Sequence, residues 1–389
     1  AYTQFPLTHR WTVDYSGTVN FDFAEDYTSA FSAGMQLNAR QRTNNDISGI
    51  GLIANNLNLV SQAATTSAGQ SKSQQTSLGF FVQEQVGWQD KLFVTAAVRV
   101  DDNSAFGEDF SLVVYPKASV SYIISDEDWF QFDWLDQLTA RGAWGQAGNA
   151  PAPLSADRTF GTSQTTFQDA TVNYLSFGAY GNPDLKAETG QEIELGFESS
   201  LLEGKVGLDV TYYYQQTKDA LISIPDPPSS GWSGSHLINI GEIKNTGLEI
   251  MVNSSPVRTR NVEWNSTAGI SFNQNELVSF GRYPDGSAIL DEVTFGAFAS
   301  VQRHREGYPL GGFWSRDVLR DANGLPILDS NDNADVLDDC VWKPSDPNWS
   351  QDQCQENYEG PMLPTREIAW TNTLTLFGNW RIFANLDYK

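Results

Sequence analysis

The chain has 389 residues, 40% hydrophobic and 12% aromatic, with a formal net charge of −24. That charge argues against nucleic acid and anionic headgroups as principal partners, since both would repel it. No apolar run approaches the roughly 18 residues that a transmembrane helix needs, and Ala1-Tyr2-Thr3-Gln4-Phe5 carries no signal-peptide pattern.

In chain order, the pattern predicts strands in pairs. Residues 9–23 and 28–40 flank Ala24-Glu25-Asp26-Tyr27, and Phe31, Ala33, Met35, Leu37 and Ala39 share one face of the second. Residues 41–73, rich in Ser, Thr, Gln, Ala and Gly in their latter part, read as a loop. Residues 77–87 and 92–100 form the next pair around Trp88-Gln89-Asp90-Lys91, followed by a strand over 110–124. Residues 125–136 carry Trp129, Phe130, Phe132 and Trp134 among five acids. They read as an aromatic girdle at a membrane edge, with a short amphipathic helix as the rival. A strand over 138–145 and a second loop over 146–181 come next.

The organising stretch is 182–221. Ile193, Leu195 and Phe197 alternate with Glu192, Glu194, Gly196 and Glu198, then Leu202-Glu203-Gly204-Lys205 reverses the chain. The return arm sets Val206, Leu208, Val210, Tyr212 and Tyr214 against Gly207, Asp209, Thr211, Tyr213 and Gln215. Such a hairpin is apolar on one face and acidic on the other. After it come a loop over 219–235, strands over 236–254 and 261–275, a long excursion over 276–364, and strands over 366–376 and 382–389. The sum is about twelve strands with short turns and long loops in alternation. Soluble sandwiches lack that alternation, whereas outer-membrane barrels pair short periplasmic turns with long extracellular loops. The expectation is an all-β, antiparallel transmembrane β-barrel.

Several stretches carry a family resemblance. Asn182-Pro183-Asp184-Leu185-Lys186-Ala187-Glu188-Thr189 and the strand after it resemble the entry to a late barrel strand in TonB-dependent outer-membrane receptors. Asn239-Ile240-Gly241 and Asn245-Thr246-Gly247-Leu248-Glu249 resemble the strand that follows. Arg141-Gly142-Ala143-Trp144-Gly145-Gln146-Ala147-Gly148-Asn149 and Glu306-Gly307-Tyr308-Pro309-Leu310-Gly311-Gly312-Phe313-Trp314 are similar to the SusC/RagA branch. The resemblance implies a barrel of about 22 strands, with residues 1–389 an internal part of it that lacks the plug domain and both ends. It implies outer-membrane location, energised import of a large nutrient (oligosaccharide, glycan or peptide), a TonB complex acting through the missing N-terminal part, and a SusD-like surface lipoprotein as lid. No bond is made or broken, and no cofactor is required.

The acids Glu192, Glu194, Glu198 and Glu249, with Arg99 and Arg141, are expected on the luminal, plug-facing side, either binding or simply solvated there. Asp329, Asn331, Asn333 and Asp335 place oxygen ligands at alternate positions, as a calcium loop does. Ala334 stands where the usual glycine would be and Cys340 where a bidentate Glu would be, so an acidic surface loop is the rival reading. Cys340 and Cys354 bracket a Pro- and Asp-rich stretch. A disulfide there would contribute about 3 kcal/mol and implies an oxidising compartment. Tyr308, Phe313 and Trp314 are expected at the extracellular mouth, and Trp232, Trp314, Trp342 and Trp349 in loops suit sugar stacking, loop packing or interface contacts. His9, His236 and His304 lack zinc or triad spacing. Two further function classes stay open: a secreted acidic β-rich carbohydrate-binding module, and a glycan hydrolase working through paired acids such as Asp101-Asp102 or Asp338-Asp339.

Overall fold

The computed structural model describes residues 1–389 except 55, 108–111, 227–228, 230, 232–233, 283–285, 291, 295–300 and 317–355. Among the described residues no helix is long and apolar enough to cross a membrane. Twelve strands form one antiparallel sheet. They are β1 (Tyr2–Ala24), β2 (Tyr27–Ile50), β3 (Thr65–Trp88), β4 (Leu92–Asn103), β5 (Val113–Ile123), β6 (Leu135–Asn149), β9 (Glu188–Leu201), β10 (Val206–Pro225), β11 (Ser235–Arg258), β12 (Val262–Ser279), β17 (Arg366–Leu376) and β18 (Trp380–Tyr388). They follow one another in that order. A two-stranded sheet, β7 (Thr159–Phe167) and β8 (Ala170–Ala179), and a four-stranded one, β13 (Glu292–Thr294), β14 (Gln302–Arg305), β15 (Gly312–Arg316) and β16 (Glu356–Gly360), complete the chain. The chain divides into two compact units, Ala1–Gly204 with Thr217–Ile240, and Lys205–Gln216 with Gly241–Lys389.

The turns explain how the ladders reverse. Gln89 and Asp90 both sit at positive φ, 51° and 55°, the geometry whose twist matches that of the flanking strands. Gln168 and Asp169 do the same between β7 and β8, and Leu202, Glu203 and Gly204 after β9.

Register fixes which side chains share a face. In the first unit Tyr15 opposes Met35, Met35 opposes Phe80, Phe80 opposes Val100, and Val100 opposes Val114. A second row runs Val86, Val94, Val120, Gly142, Leu195. These side chains are not a core: Tyr15 is 73% exposed, Phe80 53% and Leu195 57%. Glu84 interrupts this apolar face and accepts a hydrogen bond from Ser29 Oγ. In the second unit Ile250 opposes Ile270 and Ile270 opposes Ile368, while Ala268 opposes Trp370 and Trp370 opposes Leu386.

Buried apolar residues lie elsewhere. Ala105, Leu185, Ala187 and Ala220 in the first unit, and Leu277, Phe280 and Trp314 in the second, are enclosed. All lie on the long-loop side of the strands. A water-soluble sheet would bury one face against a second layer; here the packing is confined to the loop end and the strand face stays bare. The aromatic connection fits that arrangement. Trp129, Phe130, Phe132 and Trp134 stack edge to face in sequence, with centroids 5.1–6.3 Å apart. Only a short 3-10 turn over Ile124–Asp126 is helical near them, so the amphipathic-helix alternative fails.

Four loop expectations need correction. Residues 41–50 continue β2 and 65–73 begin β3, with unbroken pairing from Gln41 opposite Gln74 to Ile50 opposite Thr65. The sequence there is largely polar on both faces, so the ladder bonds hold it, not an apolar side. Residues 146–181 contain the end of β6 and the β7–β8 hairpin, closed by Phe160 against Phe177 with centroids 5.9 Å apart. β10 runs on to Pro225, into the stretch read as loop from 219. The excursion over 276–364 holds the end of β12 and the four-stranded sheet. In each case the tertiary ladder overrode a weak local pattern.

Candidate functional site

The site is the polar face of the sheet together with the hydrogen-bonded clamps at its loop end. Opposite the bare apolar rows, register places a continuous polar wall. Asp14 opposes Gln36, Gln36 opposes Gly79, and Gly79 opposes Asp101. Gln36 Nε2 donates to Asp14 Oδ1 at 2.7 Å. Arg99 Nε donates to both Asp101 carboxylate oxygens at 2.8 Å, and its Nη2 donates to Gln36 Oε1 at 3.2 Å. Gly79 makes this possible, because a Cβ there would lie 2.3 Å from Arg99 Nη2.

Arg141, Glu192, Glu194 and Glu198 lie on the same face. Lys117 opposes Gly145 and Gly145 opposes Glu192; Ala143 opposes Glu194; Arg141 opposes Gly196. Arg141 Nη1 forms an ion pair with Glu198 Oε1. Of the six residues expected on the wall, the structure thus groups five in the first unit. It pairs Arg141 with one of the expected acids, but Arg99 with Asp101, its neighbour on the same face of β4. Glu249 lies in the second unit, on the face away from Leu248 and Ile250, opposite Ser271. Successive acids such as Asp101 and Asp102 point to opposite faces of β4, so they cannot flank one glycosidic bond as a hydrolase requires.

The family-like motif at 182–189 proves to be a clamp. Asp184 N donates to Asn182 Oδ1, which tightens the turn, and Asn182 Nδ2 donates to Leu237 O. Asn239 Oδ1 accepts from Lys186 N, while its Nδ2 donates to Lys186 O and Asp219 O, all within 2.9–3.0 Å. Lys186 Nζ reaches Asp219 Oδ2 at 2.8 Å. Glu188 accepts from Asn149 Nδ2 and from Leu221 N. Leu185 is sealed beneath, and Gly107 N donates to its carbonyl. The motif therefore ties the start of β9 to β6, β10 and β11 within one unit.

The second motif works through glycine. A Cβ on Gly247 would lie 2.3 Å from Tyr213 Cζ, so the phenol end occupies the space over Gly247, and its hydroxyl donates to Asn273 Oδ1 at 3.1 Å. Asn245 Nδ2 donates to Gln215 Oε1, and Asn275 Nδ2 to Asn245 Oδ1.

At the expected mouth, Trp314 is buried, packed against Tyr308 and Tyr358 at 4.6 and 5.5 Å, with the Arg305 guanidinium 4.9 Å from its ring centre. Phe313 beside it is exposed. His304 Nδ1 accepts from Gly311 N at 3.0 Å, and burial pushes its pKa down. Glu306 takes two Arg282 nitrogens and Phe280 N, and the guanidinium beside it holds its pKa below the ordinary carboxylate value. The calcium-like residues Asp329, Asn331, Asn333 and Asp335, with Cys340, Cys354, Trp232, Trp342 and Trp349, lie outside the described residues. Among the described residues no three His, Cys, Asp or Glu side chains form a metal-sized group.

Comparisons with known proteins agree on one family. Residues 1–352 match the family model described as TonB dependent receptor-like, beta-barrel. A TonB-dependent receptor of Formosa agariphila is 30% identical over 216 residues, covering 55% of this chain and 22% of the relative. The TonB-dependent receptor SusC of Bacteroides thetaiotaomicron is 25% identical over 276 residues, covering 67% of this chain and 27% of the relative. The chain thus spans about a quarter of the length of the curated relatives it matches. Among solved structures, the RagAB peptide importer in its closed-closed state shares the fold, with TM-score 0.74 over all of this chain and 41% of that one, at 19% identity.

Proposed function

Because this chain belongs to the TonB dependent receptor-like β-barrel family, of the SusC/RagA type, and is an outer-membrane β-barrel protein, we propose that it supplies part of the wall of an energised nutrient importer. In this reading residues 1–389 are one stretch of a larger barrel. A plug that binds the TonB complex belongs to the same protein, and a SusD-like lipoprotein closes over the loop end. The cargo is a large oligosaccharide or a peptide, and the chain performs no chemistry on it.

The observation that carries the proposal is the two-faced sheet: apolar rows left bare on one side, an Asp, Glu, Arg and Gln wall on the other. In a bilayer the bare rows meet acyl chains, and the ladder satisfies the backbone amides that lipid cannot. A secreted binding module would instead carry its bare rows into water, where patches of this extent drive association. The tightly bonded start of β9 suits a rim that must hold shape while cargo passes.

Uptake of labelled oligosaccharides and peptides by cells carrying the full-length protein tests the proposal. Accumulation should require this gene and collapse when the inner-membrane energising complex is deleted. Uptake that persists without that complex, or a protein recovered in the soluble fraction, would refute it. A disulfide between Cys340 and Cys354, and calcium at Asp329, Asn331, Asn333 and Asp335, are proposed with it. Peptide mass mapping without reductant should find the two cysteines linked, and calcium should protect the 329–339 stretch from proteolysis.

A further inference from the structure

On the polar face of the first unit lies a recess of about 380 Å³, lined by Phe81, Gln83, Arg99, Asp101, Tyr115, Lys117 and Gln146 over a floor of Ala97, Val98, Ala147 and Gly148. Its size suits a small ligand group. Small residues carve it: a Cβ on Gly148 would lie 2.2 Å from Tyr115 Oη, so the phenol ring leans over bare backbone and forms one wall. Phe81 leans over Gly34 in the same way, 2.6 Å from where a Cβ would stand. Register sets the polar lining in two rows. Phe81 opposes Arg99 and Arg99 opposes Tyr115, while Gln83 opposes Ala97, Ala97 opposes Lys117, and Lys117 opposes Gly145.

The charges in this recess are unequal. Arg99 is neutralised by Asp101. Lys117 is exposed, and among the described residues it forms neither an ion pair nor a side-chain hydrogen bond. The carboxamides of Gln83 and Gln146 are likewise unengaged among the described residues. Beside the mutually neutralised Arg99–Asp101 pair, an ammonium group, two amide NH₂ groups and a phenol therefore line one concavity in a protein of net charge −24. Donors of this kind match an acceptor-only anion with two oxygens.

We propose that this recess is a carboxylate-binding subsite, with Lys117 as the charge partner and Gln83 and Gln146 as flanking donors. The proposal deepens the importer reading, since it gives the wall one place where an acidic group is held while the surrounding acids repel it. The carboxylate comes from one of two sources: an acidic side chain of a domain seated in the lumen, or an acidic solute in transit.

Two arms separate the sources, both on the full-length protein in detergent. In the first, triglutamate is titrated by calorimetry with triglutamine as the uncharged control, against wild type, Lys117→Gln and Lys117→Arg. A solute site predicts that triglutamate binds and triglutamine does not, that Lys117→Gln weakens binding at least tenfold, and that Lys117→Arg restores most of it. In the second, a zero-length carbodiimide joins amines to contacting carboxylates. A luminal-domain partner predicts a Lys117 isopeptide to an Asp or Glu of that domain, found by mass spectrometry and absent in Lys117→Gln. Triglutamate affinity indifferent to Lys117, with no Lys117 cross-link, overturns the proposal. So does equal binding of triglutamine. Heat-modifiable migration confirms that each variant folds. Both readouts are independent of transport: failed uptake with intact Lys117-dependent binding would sink the importer reading and leave the subsite standing.

Discussion

Leu195→Arg places a guanidinium on the apolar face at a chosen depth. Leu195 lies six residues before Leu201, where β9 ends at its short turn. At about 3.4 Å per residue and a tilt near 40°, that is about 15 Å above the turn edge, close to the middle of a band about 25 Å tall. An arginine at such a depth costs about 2–4 kcal/mol, a shift of roughly 30- to 1000-fold in the folding equilibrium. Leu195 is already 57% exposed, so a protein bathed in water would tolerate the change within about 0.5 kcal/mol. The assay is reversible guanidinium unfolding of the full-length protein in lipid vesicles, followed by tryptophan emission. Glu194→Arg, one residue away on the polar wall, is the control and should shift stability far less. A Leu195→Arg variant as stable as wild type would refute the reasoning.

Other consequences are equally direct. Asn239→Ala removes three hydrogen bonds from the clamp on Lys186 and Asp219 and should cost about 1–3 kcal/mol, read as faster amide exchange over 184–188. Gly247→Ala drives a methyl into the Tyr213 ring; it should break the bond to Asn273 and lower stability by about 1–3 kcal/mol. Burial lowers the His304 pKa below its ordinary 6.5, so the unfolded state binds the proton first. The stabilisation from neutral His304 should be complete above pH 6.5 and decline as pH falls below it, visible as lost exchange protection at Gly311 N. Glu306, its pKa lowered by Arg282 from the ordinary 4.5, should keep its contribution down to about that pH and lose it on further acidification. Arg282→Gln should shrink that loss, because the folded pKa then returns toward 4.5.

The membrane-crossing portion was legible because lipid imposes a period of two on every strand. Ile193, Leu195 and Phe197 against Glu192, Glu194 and Glu198 announced both faces of β9, and the alternation of short turns with long loops announced the architecture. Residues 41–50 and 65–73 were illegible as strands because neither face there needs to be apolar; only the mutual ladder of β2 and β3 orders them. The β7–β8 hairpin was hidden for a similar reason, its Thr- and Ser-rich arms resembling loop composition. The motif at 182–189 was recognisable, but its work was not: the partners Leu237, Asn239 and Asp219 lie tens of residues away in sequence, and no local pattern announces them. The recess at Lys117 was equally invisible, because it exists only where four strands set small residues side by side.

The central claim is that the two faces of β9 meet different solvents. Single spin-labelled cysteines at residues 193–198, in full-length protein with Cys340 and Cys354 replaced and reconstituted in vesicles, test it most directly. Collision with oxygen, which concentrates in lipid, should peak at 193, 195 and 197, and collision with a water-soluble nickel chelate should peak at 194, 196 and 198. Uniform water access along the six positions, or the opposite alternation, would contradict the account.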